Sequence, residues 1–501
     1  MTEEQRIQLT IGAEPASQRS FAGFGLQCDA YLYDAVNAAA GVNEQDYALI
    51  EKRLRAIRPS LVRTFCHVDW FNPARDAAMY RWDLPGYANL ARLLRLLQEI
   101  GAQVNLVLFS PMWGQTMETH RNSVKAIGEL LAHLRDADGI TAVRWLTIFN
   151  EPETVFPHDS PLMRRIFGDE RVGGATNWDG LVELWRLAQE RLEALRLYPH
   201  VKLAVPDCVY GSPVRYERMR LAADTFQGAD VDFAVHVYSP EDQAGQAQTD
   251  EQRLNWAYPG MAREAADFRD LAGPDRRLIL WEYNLEGLGG RTPWFPGVNR
   301  QGVAIMETPE AGPQILEKTI LAINHGYDGA CLWCLTDMLY CESPAQAMQV
   351  GLWRFKSALW YPRPHYYYYA PLCQLFRPGM TLVRVEGIPV SMQALAARGD
   401  GKLVAVLLNC RDTRQTVRLE ALPVHPVCRL RVHPDAFPAT AGDLPLESWE
   451  TVTVDARAGM NFELLPREAT FLQFDLTQTT TKENRCSLPA GDAGAAGRAL
   501  R

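Results

Sequence analysis

The sequence has no surplus of basic side chains: 51 Lys and Arg stand against 60 Asp and Glu, a formal net charge of −9 at pH 7. Nucleic acids and anionic membranes are bound through a positive field, so neither is an expected partner. No uninterrupted apolar run reaches the ~18 residues that a membrane-crossing helix requires. The N-terminus, Met1-Thr2-Glu3-Glu4-Gln5-Arg6, has neither the basic start nor the apolar stretch of a secretory signal, and a cytoplasmic location is expected. The P-loop, HExxH, the EF-hand loop and GxSxG are all missing. Gly23 and Gly25 do not open a dinucleotide-binding fingerprint, because Cys28 occupies the third glycine position. There is no internal repeat of solenoid period. These absences leave no cofactor to expect.

Cysteine is sparse and unpatterned, with ten scattered along the chain. In a reducing compartment that reads as buried thiols rather than a disulfide framework. Cys331-Leu332-Trp333-Cys334 has CxxC spacing, but it lies in an apolar, strand-like run with no second pair to complete a zinc site. Buried hydrophobes are the simpler reading, and no metal is expected.

What is present begins with 47% hydrophobic and 22% charged residues over 501 positions, ample for a barrel core and a second domain. Two stretches organise the rest. Trp145-Leu146-Thr147-Ile148-Phe149 ends abruptly in Asn150-Glu151-Pro152, and Leu278-Ile279-Leu280-Trp281 ends in Glu282. A short, fully apolar run is the mark of a strand buried on both faces, as in parallel sheets, and Pro152 stops the first one. If the strands close into a barrel of alternating β and α elements, their C-terminal ends open into the active site and both carboxylates face a substrate. Glu153 and Glu286 lie beyond the strand ends, where a solvated loop charge is the simpler account.

Between these landmarks, strand and helix alternate. Strands are expected at Phe21–Gln27, whose glycines permit close backbone approach, at Leu61–Cys66, and at Val104–Phe109, ending in Ser110-Pro111-Met112-Trp113. Further strands are expected at Lys202–Val205, ending near Asp207, at Val231–Tyr238, and at Gly329–Leu335. Helical spacing falls near 45–57, 87–100, 124–134, 181–195 and 314–325. This is an α/β parallel architecture. Long loops follow Glu151 and Glu282, and such loops shape substrate sites. From Leu382 the texture changes to short alternating strands, an all-β pattern, and past about Thr477 periodicity is lost and a disordered tail is expected.

His236 and Tyr238 stand two apart on one strand, so both side chains share a face. Arg63 interrupts an apolar strand, and a buried guanidinium requires a partner. Trp70, Trp113, Trp281, Tyr283 and Trp294 also end or follow strands.

Asn150-Glu151-Pro152 at the end of strand four and Trp281-Glu282 at the end of strand seven resemble the clan A retaining glycoside hydrolases. Phe21-Ala22-Gly23-Phe24-Gly25 resembles the first strand of family 30, the stretch from His365-Tyr366-Tyr367-Tyr368-Tyr369 to Gly379 resembles the last barrel helix of families 30 and 39, and the His-x-Tyr pair resembles family 5. The resemblance implies a (β/α)8 TIM barrel with a C-terminal all-β sandwich. It divides the chain into residues 1–20, a strand segment joining the sandwich, 21–378, the barrel, 379–476, the sandwich, and 477–501, the tail. It implies Glu151 as acid/base and Glu282 as nucleophile, Tyr238 on the nucleophile, His236 near the acid/base, Arg63 near the nucleophile, Asn150 on the sugar 2-hydroxyl and Trp333 as a sugar-stacking platform. Where several families carry a histidine at the end of strand three, this chain has Ser110-Pro111-Met112-Trp113, which leaves the sugar open. The expected activity is retaining cleavage of β-glycosidic bonds, exo-acting on short saccharides. An endo-acting glycanase and a catalytically inactive carbohydrate-binding barrel are the alternatives.

Overall fold

The computed structural model describes residues 6–16, 19–74, 79–109, 116–152, 178–209, 212–240, 264–286, 297–298, 302–340, 347–420, 427–434, 450–452 and 459–476. The expected loop after Glu151 from Glu153 on, residues 287–296 and 299–301 of the loop after Glu282 with Trp294, the Ser110–Trp113 segment and the tail from 477 lie outside these residues.

Eight strands close into a parallel barrel in chain order: β2 (Gly23–Gln27), β3 (Leu61–Cys66), β4 (Gln103–Leu108), β5 (Val143–Thr147), β6 (Lys202–Cys208), β7 (Asp232–Pro240), β8 (Leu278–Glu286) and β9 (Gly329–Leu332). Helices Glu44–Ile57, Pro85–Glu99, Met117–Asp136, Trp178–Ala194 and Ala311–Asn324 lie on the five spans of helical spacing; all five start ahead of them, and three end one residue short. The first strands lie close: a Cβ at Gly25 would collide with the Leu61 carbonyl.

The barrel interior is layered. Ala22, Leu61, Trp145, Ala204, Ala234, Ile279, Trp281 and Cys331 form a separate inner core, in which Trp145 and Trp281 meet edge to face at 5.2 Å. Two indoles therefore fill the barrel towards its N-terminal end, Trp145 donating its Nε1 to Asp232 at 2.8 Å, and the cluster of inward charges lies at the C-terminal mouth. Trp281 belongs to this plug and is fully buried, so it is no sugar-contact candidate. Tyr283 points outward, its hydroxyl 2.6 Å from Thr319 on the helix behind.

The second body is a single hydrogen-bonded sheet of nine strands, ordered β15-β14-β17-β12-β11-β10-β1-β13-β16. Its strands are β1 (Ile7–Pro15), β10 (Thr381–Glu386), β11 (Met392–Gly399), β12 (Lys402–Asn409), β13 (Gln415–Glu420), β14 (Val427–Val432), β15 (Glu450–Val452), β16 (Met460–Leu464) and β17 (Ala469–Asp475). Residues from opposite ends of the order, such as Val417 and Leu464 on one side and Val427 and Phe474 on the other, share one core. The sheet thus curls on itself into a sandwich-like unit. The N-terminal β1 pairs antiparallel with β10 and parallel with β13. The other face of the sheet, including Val404, Val406 and Phe471, joins the barrel core. Tyr368, on helix Pro364–Leu375, donates to the Arg467 carbonyl at 2.8 Å and ties the two bodies together.

Among the described residues seven cysteines are free and buried, Cys331 and Cys334 among them. Cys428 is disulfide-bonded, which departs from the expectation of thiols throughout. No helix of the described residues is long and apolar enough to cross a membrane.

Candidate active site

Glu282 sits at the barrel mouth because β8 carries an irregularity. Val235 pairs with Leu280, but His236 pairs with Glu282, so β8 has one residue more than β7 at that point. A bulge of this kind breaks the alternation of faces. Trp281 and Glu282 consequently both point inward, the first into the plug and the second into the site. The same device recurs in β6, where Pro206 pairs with Ala234 and Cys208 with Val235, leaving Asp207 as the extra residue with φ +61°. Glu151, just past β5, also has positive φ, +47°. Strained backbone of this kind persists only where its surroundings hold it, and it concentrates at functional sites.

Arg63 is the hub. Its side chain is fully buried and follows Leu61 on the inward face of β3. Nη1 donates to Glu282 Oε2 at 2.8 Å and to Gln27 Oε1 at 3.0 Å. Nη2 donates to Asp207 Oδ2 at 2.7 Å and to Asn150 Oδ1 at 2.5 Å. The Phe65 ring lies against the guanidinium, 5.0 Å from its centroid. Tyr238 donates its hydroxyl to Glu282 Oε1, so each nucleophile-candidate oxygen has a donor. His236 spans the other side: Nε2 is 3.0 Å from Asp207 Oδ1, and Nδ1 is 3.1 Å from Glu151 Oε1 and 3.7 Å from Glu282 Oε2.

Burial and the neighbouring charges together set the protonation pattern. It raises Glu282 to about 7, against the opposing pull of His236, Arg63 and the Tyr238 hydrogen bond. Burial would depress His236, but Asp207 and then Glu282 outweigh it and lift the imidazole to about 10. Asp207 is held below the ordinary carboxylate range: burial works against it, and Arg63 and His236 prevail. At neutral pH the centre therefore holds an imidazolium and a guanidinium against the ionised Asp207, with Glu282 close to its midpoint.

Six of the seven residues expected from the sequence, Glu151, Glu282, Asn150, Arg63, His236 and Tyr238, are joined in this one network. Trp333 follows β9, with its ring 5.6 Å from Phe65 and its carbonyl accepting from Asn284; its buried Nε1 has no partner among the described residues. Trp70 lies at the same mouth, 5.1 Å from the His67 ring. Asp207 was missed as a functional residue, although a carboxylate at the end of an apolar strand was the signal used for the other two. Gln27 and Asp29 were missed too. Gln27 Nε2 donates to Asp29 Oδ1 at 2.7 Å, and burial raises Asp29 to about 6.

Glu151, His236 and Glu282 bring ligand-type atoms within 4.8 Å of one another, a spacing that a metal ion tolerates. The chemistry of the set argues otherwise. Both oxygens of Glu282 already have donors, one of them the Arg63 cation at 2.8 Å, and the imidazole is cationic at neutral pH.

No protein-family model and no curated protein matches the sequence. Solved structures do match along nearly the whole chain. A family 30 endoxylanase from Clostridium papyrosolvens is 11% identical with a TM-score of 0.58, covering 94% of this chain and 100% of its own. The catalytic domain of family 30 xylanase C from Talaromyces cellulolyticus is 12% identical with a TM-score of 0.60, covering 93% and 99%. An α-L-arabinofuranosidase from Thermotoga maritima is 14% identical with a TM-score of 0.53, covering 94% and 100%. The chain therefore has the fold of family 30 glycoside hydrolases, barrel and appended β-domain together.

Proposed function

We propose that this chain is a retaining glycoside hydrolase that cleaves β-glycosidic bonds by double displacement. The observation that carries the reading is the approach of the two carboxylates, with an oxygen of Glu151 and one of Glu282 within 4.8 Å. Retaining enzymes hold their carboxyl groups about 5 Å apart so that one can attack the sugar, whereas inverting enzymes leave roughly 6.5–9.5 Å for a water. The names of the structural neighbours point to the same substrate class.

In this reading Glu282 attacks the anomeric carbon while Glu151 protonates the departing glycosidic oxygen. Glu151, now ionised, then takes a proton from the water that displaces Glu282 from the glycosyl-enzyme. Arg63 and Tyr238 fix both oxygens of Glu282 and favour its ionised form, offsetting part of the cost of its burial. His236, anchored by Asp207, positions Glu151. The unpartnered Trp333 Nε1 and the Asn150 side chain at the mouth are groups a sugar hydroxyl would satisfy. The substrates we propose are short saccharides or simple glycosides cleaved from one end. The location we propose is the cytoplasm, supported by the buried free cysteines; the Cys428 disulfide pulls the other way, and cell fractionation decides.

The test uses a panel of aryl glycosides that includes β-pyranosides and α-L-arabinofuranosides, with polymeric xylan as the endo control. Glu282→Gln is expected to abolish turnover on every substrate. Glu151→Ala is expected to retain formation of the glycosyl-enzyme from an activated aryl glycoside and to be rescued by azide, giving a glycosyl azide of retained configuration. An inverted wild-type product, or rescue with retention at position 282 instead of 151, overturns the assignment. Binding without turnover across the whole panel supports the inactive carbohydrate-binding barrel, and rapid loss of xylan viscosity supports the endo alternative.

A further inference from the structure

Asp29 is a buried carboxylate beside the charged hub that the proposed double displacement leaves without a role. It stands in extended backbone two residues after Gln27, the last residue of β2, and the amide of Cys28 between them donates to the Arg63 carbonyl at 2.9 Å. The strand's period of two therefore carries on, and Gln27 and Asp29 share a face. Asp29 also immediately precedes the short 3-10 turn Ala30–Tyr33, where an aspartate ordinarily caps free amides, yet its side chain makes no capping hydrogen bond. The carboxylate is committed elsewhere.

Oδ1 accepts from the Phe65 amide at 2.8 Å and from Gln27 Nε2 at 2.7 Å, and Oδ2 accepts from the Tyr340 hydroxyl at 2.8 Å. Gln27, itself buried, passes the constraint on. Its Oε1 accepts from Arg63 Nη1 at 3.0 Å, and the same Nη1 donates to Glu282 Oε2 at 2.8 Å. An arginine only donates and an ionised carboxylate only accepts, so one orientation of the glutamine amide satisfies both neighbours. Both Nη1 protons are then assigned, and the guanidinium cannot turn in its plane without losing Gln27 or Glu282. Phe65, whose amide Asp29 holds, lays its ring against the same guanidinium. Burial lifts Asp29 to about 6 against the opposing pull of the Phe65 amide, Tyr340, Arg63 and Gln27, so it is mostly ionised at neutral pH.

We propose that Asp29 is a positioning residue: through Gln27 it aims the Arg63 guanidinium at Glu282. Its consequence for rate rests on Glu282 being the nucleophile, as proposed above, whereas its consequence for the charge state of Glu282 does not.

Asp29→Asn and Asp29→Ala both remove the charge, but only alanine removes the contacts. The asparagine oxygen still accepts from Gln27 and Phe65, and its amide donates to the Tyr340 oxygen. The difference between the two variants therefore reports positioning. The midpoint of Glu282 is read by carbon-13 NMR of the full chain labelled at glutamate side-chain carboxyls, its signal assigned by its loss in Glu282→Gln. The other groups facing Glu282, namely His236, Glu151 and Tyr238, are the same in both variants. With Arg63 less well aimed at the ionised form, the midpoint is expected to stand at least about half a pH unit higher in Asp29→Ala than in Asp29→Asn. Gln27→Met keeps the length and removes the link; it is expected to raise the midpoint likewise, and adding Asp29→Ala to it should raise it little further. On an aryl glycoside that the wild type turns over, kcat is expected to fall at least about tenfold in Asp29→Ala and to recover most of that loss in Asp29→Asn. Equal midpoints in the two Asp29 variants overturn the proposal, and should Asp29→Ala not fold, an unchanged midpoint in Gln27→Met does so. The expected midpoint shifts in a chain that turns over no glycoside support the positioning role and overturn the proposed function.

Discussion

Asp207→Asn is the sharpest perturbation of the site. The carboxylate is fully buried and accepts from two different cations, Arg63 Nη2 at 2.7 Å and His236 Nε2 at 3.0 Å. Asparagine keeps the shape but offers one acceptor oxygen, and its amide nitrogen must then face a donor. If the oxygen stays with Arg63, the imidazole has to surrender its Nε2 proton to accept from the amide. Asp207 is also the strongest influence lifting His236 to about 10, while burial opposes it, so the imidazole should fall back towards its ordinary value near 6.5. Removing one partner from a buried ion pair costs about 3–5 kcal/mol, and that loss is expected in urea unfolding at pH 6. The pH dependence follows from the direction of the shift. A histidine whose folded pKa is raised contributes its full stability below its unfolded value near 6.5 and loses it as pH rises through about 10. The gap between wild type and variant should therefore narrow between pH 6 and pH 10, leaving the share that belongs to Arg63. Activity should drop by about 10²-fold, the usual consequence of displacing a positioned catalytic group by about 1 Å. A stability loss under about 1 kcal/mol, or a gap that does not change with pH, would refute the reasoning.

Glu282 must be ionised to attack, and burial places it at about 7, so kcat/KM should fall as pH drops below that value; Tyr238→Phe, which removes a donor to the charged form, should move this acid limb to higher pH in a pH–rate profile. Arg63→Lys keeps the charge but cannot reach Gln27, Asn150, Asp207 and Glu282 together, and aryl-glycoside kcat is expected to fall by at least about 10²-fold. Deleting residues 1–15 removes β1 from between β10 and β13 along with the buried Leu9 and Ile11, each worth about 1.5–3 kcal/mol of burial. A clear fall in melting temperature is expected, and an unchanged one would show that β1 contributes nothing to the sheet.

The strand-and-helix alternation was legible in the residue pattern alone, because strands buried on both faces leave fully apolar runs and helices leave a 3.6-residue stripe. It also marked Arg63 and the His236/Tyr238 pair, since β3 and β7 are regular at those positions and a period of two reports faces correctly. Glu151 and Glu282 were visible as carboxylates at abrupt strand ends. Tertiary structure decided the rest. The inward aim of Glu282 next to an inward Trp281, and of Asp207 after Pro206, comes from extra residues in β8 and β6, and register is a relation between two strands that neither strand's sequence contains. The same holds for the choice between core and site: Trp281 and Trp333 look alike as aromatic residues near strand ends. Only closure of the barrel puts one in a plug with Trp145 and the other beside Phe65 at the mouth. The pairing of charges at the centre was equally out of reach, because the carboxyl groups and cations that meet there come from five strands and their ends, brought together only when the barrel closes.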